Sequence, residues 1–166
     1  KQMKKDVLVS ISGKLIDIMN DPGDGYETGD DAIEVVTPAD YYCRNGKHYI
    51  IYDEVFEGTA GTVKNKIKIT GTDMVEIMKS GLTSSHMIFE KNKKNLTYYK
   101  TPYGQMLVGV NTKKMEISVE DDKIGVLVDY ELDVNHEPLA DCKIKMSIMP
   151  KESAEWIKGA SPEYVS

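Results

Sequence analysis

Long apolar runs are missing from this chain. No stretch approaches the roughly 18 residues that a membrane span needs, and the segment from Val7 to Ile18 is broken by Ser10, Ser12, Lys14 and Asp17, so no signal-peptide core is expected. Cysteine is scarce: two residues, Cys43 and Cys142, are too few for a disulfide-stapled secreted domain. They read as two thiols in a reducing, cytoplasmic setting, although their separation in sequence leaves a single bridge open. A basic surplus is absent too. Twenty-one Lys and Arg face 27 Asp and Glu for a net charge of −6, which argues against nucleic acid as a partner. The three histidines share no metal-ligand spacing with the cysteines. No nucleophile elbow, zinc-protease, Walker or dinucleotide motif occurs. No catalytic residue, metal or cofactor can therefore be nominated from motifs.

What is present is a β pattern. The 166 residues, 40% apolar and 29% charged, suit one folded domain spanning 1–166. Turn signals recur along the chain, among them Asn45-Gly46, Gly58 to Gly61, Thr70 to Asp73, Ser80-Gly81, Asn92 to Asn95, Thr101 to Gly104, Asp121 to Lys123 and Asn135 to Pro138. Between them apolar and polar residues alternate. Ile124, Val126, Val128, Tyr130, Leu132 and Val134 fall on one face; Val63, Ile67 and Ile69 oppose Lys64, Lys66 and Lys68; Cys142, Ile144, Met146 and Ile148 oppose Lys143, Lys145 and Ser147. Period two over so many segments means strands with one buried face. About eight to ten hairpin-linked strands cannot remain a flat sheet with open edges, and closure removes the edges. An all-β, antiparallel up-and-down barrel is expected, with its core at about 7–149 and a tail at 150–166; a two-sheet sandwich is the alternative. The tail holds a short helical stretch around Ser153 to Lys158. The acidic loop from Asn20 to Asp31 lacks the alternating carboxylates of a calcium-binding EF-hand and reads as solvated.

One run of residues points to a family. Tyr98-Tyr99-Lys100-Thr101-Pro102-Tyr103-Gly104, followed by Met106-Leu107-Val108-Gly109-Val110-Asn111-Thr112, resembles the signature of the YwiB-like family of uncharacterised bacterial proteins. Asp31 to Glu34, Tyr41-Tyr42, Tyr49 to Glu54, Met87 to Glu90 and Asp129 to Leu132 fit in the same order, so the likeness runs from about Val7 to Ile148. It implies a lipocalin-like (calycin) barrel and no established activity. Lys79 stands where the family pattern leads one to expect arginine, which keeps the charge and loses the guanidinium fork, and Lys91-Asn92 stands where a glycine is common.

The polar residues on inward rows are the candidates for function. Tyr52 and Glu54 share a strand face, as do Tyr99 and Thr101; Lys79 lies on the face of Val75 and Ile77, and Tyr130 sits in an apolar row. If these faces converge, a buried Glu54 has to pair with Lys79 or be protonated. Tyr52, Glu54, Lys79, Tyr99, Thr101 and Tyr130 are thus the expected ligand-binding set, with the lysine meeting an anionic group and the tyrosines orienting it. The plainer account is a structural ion pair and tyrosine hydrogen bonds that set strand register. Met106, Met115 and Met146 read as gap fillers in a core poor in Phe and Trp. Lys91, Lys93, Lys94 and Lys100 form a basic hairpin beside Tyr98 and Tyr99, a solubility device given the overall acidity. The expected function is non-catalytic binding of a small molecule or short segment in or over the barrel mouth. The alternatives are a filled barrel serving as an interaction module, and an acid–base enzyme built on the interior carboxylate and tyrosines. A small molecule is the expected partner, nucleic acid and membrane are not, and nothing in the chain decides for or against a homodimer.

Overall fold

The computed structural model describes residues 6–13, 33–55, 61–81 and 83–153. Ten strands follow one another: β1 (Asp6–Gly13), β2 (Ile33–Arg44), β3 (Lys47–Val55), β4 (Thr62–Thr70), β5 (Met74–Gly81), β6 (Ser85–Glu90), β7 (Lys94–Thr101), β8 (Gly104–Glu120), β9 (Lys123–Val134) and β10 (Glu137–Pro150). Among the described residues the only helical element is a single 3-10 turn, Lys151–Ser153. The acidic loop and Trp156 lie outside the described residues, as does most of the expected tail helix.

All ten strands form one antiparallel sheet in the order β6-β5-β4-β3-β2-β1-β10-β9-β8-β7. Each strand except β6 therefore pairs with its successor, and the first and last close on each other through a ladder from Val7↔Pro150 to Gly13↔Ile144. This is the up-and-down barrel expected from the alternation. The seam lies elsewhere, between β6 and β7, where Ser84 and Lys100 exchange backbone hydrogen bonds at 3.0 and 2.8 Å. The turn joining these two strands leans onto β8, with Asn92 N–H donating to Thr112 O at 3.1 Å and Thr112 N–H to Lys93 O at 3.0 Å. The barrel is nearly closed.

The tight turns have local causes. Asn45 and Gly46 both take positive φ, 53° and 76°, which gives the two-residue hairpin twist that matches the flanking strands. At the far end of β5, Gly81 has φ +125°, and a Cβ there would collide with the Thr62 carbonyl oxygen, so only glycine lets β5 and β4 meet so closely.

The inward rows make one continuous core. Ile50, Ile67, Ile69, Val75, Phe89, Val108, Leu132 and Ile148 are completely buried, and Met87, Met115 and Met146 fill between them. The lysines that alternate with them, such as Lys64 and Lys143, turn outward. Both cysteines are free thiols, with Cys142 buried and Cys43 partly so. No described helix is long and apolar enough to cross a membrane.

Candidate functional site

The chemistry concentrates where β3 and β5 end and β4 begins. Register aligns Tyr52 with Asn65, and Asn65 with Lys79; Lys79 in turn faces Ser85. One polar row thus crosses the inner wall of four adjacent strands. Glu54, two residues beyond Tyr52, shares that inward face.

Three of these side chains close a triangle. Lys79 Nζ donates to Glu54 Oε1 at 2.9 Å and to Asn65 Oδ1 at 2.8 Å, and Asn65 Nδ2 donates to the same Glu54 oxygen at 2.9 Å. Asn65 is wholly buried, the Lys79 side chain is 8% exposed and that of Glu54 is 23% exposed. A lysine so far from water needs a close carboxylate and further acceptors, and here it has both. The carboxylate reaches toward solvent, so the triangle sits at the rim of the interior rather than its centre.

The interior beside it has little room. A cavity of about 20 Å³ is lined by Ile11, Gly13, Tyr52, Asn65, Lys79 and Ile144, among others. That is space for about one water molecule, not for a drug-sized ligand. Burial, with Glu54's charge adding to it, pushes the Tyr52 phenol far above its ordinary value. Tyr99 is raised chiefly by burial, and its hydroxyl bonds with the Thr83 side chain, while Glu54 adds a smaller upward push. Both phenols stay neutral at physiological pH and act as hydrogen-bonding groups rather than bases.

Of the six residues expected from sequence, Glu54, Lys79 and Tyr52 come together, and Tyr99 lies close enough to feel the carboxylate. Thr101 is elsewhere engaged: its hydroxyl donates to Gly104 O at 3.0 Å and accepts from Tyr103 N–H at 3.1 Å, capping the β7–β8 turn. Tyr130 is buried in the apolar wall, edge-on to Phe89 with ring centroids 4.9 Å apart. Its pKa is raised, first by burial and then by Cys142, its register partner on β10. Asn65 is the member that sequence reasoning passed over. Its signal is present: it is the one polar residue in the inward row Val63, Asn65, Ile67, Ile69, and a buried polar side chain in such a row requires a partner.

A second polar group lies inside the opposite end of β2 and β3. Tyr41 O–H and His48 Nδ1 share a hydrogen bond of 2.8 Å, and Tyr41 also meets the Cys43 thiol. Burial pushes the Tyr41 phenol up to about 12, with Cys43 contributing, and burial alone lowers the His48 imidazole. No metal-binding cluster of His, Cys, Asp or Glu occurs among the described residues. The basic hairpin is half neutralised: Lys93 pairs with Glu90 at 3.1 Å and Lys94 with Asp133 at 2.5 Å.

Comparison with known proteins follows the same lines. Residues 16–146 match the sequence family described as "Domain of unknown function (DUF1934)". A curated relative, "Uncharacterized beta-barrel protein YwiB" of Bacillus subtilis (strain 168), is 25% identical over 107 residues, or 64% of this chain and 73% of its own. The crystal structure of ywiB protein from Bacillus subtilis aligns with a TM-score of 0.68 over 89% of this chain and 94% of that one, at 17% identity. At that identity the likeness speaks for the barrel alone.

Proposed function

The chain belongs to the DUF1934 family, and from its own geometry we propose non-catalytic binding of a small polar group, on a small molecule or a short segment, over the mouth of a filled barrel. The observation that carries this is the triangle of Glu54, Asn65 and Lys79 at the rim of a cavity of only about 20 Å³. Among the described residues Glu54 Oε1 takes both protein donors, so its second oxygen and the third Lys79 proton are offered to a guest that donates and accepts at once. Such a guest inserts a small polar tip and keeps its body outside, because the space is too small for more. Tyr52 and Tyr99, held as neutral phenols, orient it. The acid–base enzyme reading gains no support from tyrosines driven this far from neutrality.

The test is native mass spectrometry of freshly purified protein beside the doubly substituted Glu54→Gln/Lys79→Met protein. Wild type is expected to carry a non-covalent adduct that the variant lacks while keeping its fold. Bare polypeptide in both, with no thermal stabilisation of wild type across a small-molecule library, refutes the proposal. The tight interior itself favours a second reading, that of an interaction module whose outer surface does the work.

A further inference from the structure

The outer face of β2, β3 and β4 carries a feature that the mouth does not explain. Tyr42 and Tyr49 face each other in register and stack with ring centroids 4.7 Å apart and planes at 8°. Arg44 lies over the Tyr42 ring at 5.6 Å, and Lys66 and Lys68 lie over the Tyr49 ring at 5.8 and 5.9 Å. Lys47, the register partner of Arg44, extends the group. Arg44, Lys47 and Lys66 form no salt bridge among the described residues, while Lys68 meets Glu76 at a loose 3.8 Å. Glu76 is itself bound to His86 at 2.7 Å. Four cations therefore cluster around two aromatic rings on a chain whose net charge is −6, bordered on the same face by Glu76, by Asp40 two residues before Tyr42, and by Asp53, which pairs with Lys64 at 3.4 Å.

We infer that this face is a docking surface for an extended acidic segment of a partner protein, with carboxylates at every second residue. Charge complementarity gives the sign of the partner, since a local positive field on an acidic protein steers short anionic segments. Spacing gives its conformation. Lys66 and Lys68 lie two residues apart on one strand, about 6.6 Å, which is also the same-side repeat of an extended segment. Neighbouring strands add cations at intervals of about 4.8 Å. The rings disfavour the other polyanion. Single-stranded nucleic acid gains its affinity by stacking bases on open aromatic faces, and here the faces are taken by each other and by the cations. What the tyrosines still offer is their hydroxyls, which suit carboxylates.

Fluorescence anisotropy with a dye-labelled peptide of about six Glu-Thr repeats tests this, at salt of about 20 and about 200 mM. Wild type is expected to bind it, less tightly at the higher salt. Arg44→Glu/Lys66→Glu is expected to lose about tenfold or more in affinity with an unchanged unfolding midpoint. Lys91→Glu/Lys100→Glu, on β6–β7 outside this face, is expected to bind as wild type does. Should charge reversal disturb folding, Arg44→Gln/Lys66→Gln serves the same comparison. No binding, equal loss in the hairpin variant, or equal affinity for an oligothymidylate of similar charge overturns the inference. So does sedimentation showing a dimer that the Arg44/Lys66 variants dissolve, which would assign the face to a second copy of this chain.

Discussion

Replacing Lys79 by Met removes one corner of the triangle and leaves the Glu54 carboxylate three-quarters buried and, among the described residues, bonded only through Asn65. Breaking a buried pair from one side costs about 3–5 kcal/mol in fully enclosed sites. The partial exposure of Glu54 places this case lower, at about 2–3 kcal/mol. Replacing Glu54 by Gln in the same molecule removes the stranded charge, and Gln keeps an oxygen for the Asn65 amide; the double variant should return to within about 1 kcal/mol of wild type. Urea unfolding followed by far-ultraviolet circular dichroism reads the difference. With a slope of about 2 kcal/mol per molar urea, the single variant should lose about 1–1.5 M in its midpoint and the double variant recover most of it. A double variant as unstable as Lys79→Met, or less stable still, would refute the argument, because the cost would then come from lost packing around residue 79 and not from an uncompensated carboxylate.

Two further outcomes follow from burial. Tyr41, Tyr52, Tyr99 and Tyr130 all ionise later in the folded protein than the ordinary value of 10.0. The unfolded chain therefore releases these protons first, so the tyrosines' contribution to stability is level below pH 10 and falls as pH rises from 10 through 12, where Tyr41 titrates. A phenolate absorbance titration run beside circular dichroism should show these four ionising above the ordinary range, Tyr41 near 12, or together with unfolding; reversible ionisation of all ten tyrosines in the folded state near pH 10 would contradict the burial. With thiol reagent, Cys43 should react in native buffer and Cys142 only in denaturant, and a protein without titratable thiols would show the two joined.

The barrel was legible in the sequence because alternation is a local property: a row such as Ile124, Val126, Val128, Tyr130 has one way to bury its apolar side, and turn residues such as Asn45-Gly46 set where each strand reverses. The meeting of Glu54 with Lys79 followed from the cost of burying either alone. Register was not legible, and it decided the rest. It brought Asn65 between Tyr52 and Lys79, turned Thr101 to its own hairpin, and left Tyr130 against Phe89 in an apolar wall. The same register laid Lys66, Lys68, Tyr42, Tyr49 and Arg44 side by side on the outer face, although they are as many as 26 residues apart. Alternation says which side of a strand a residue takes, whereas its neighbours across the sheet depend on how ten strands slide past one another as the barrel closes, and only the completed ladder holds that information.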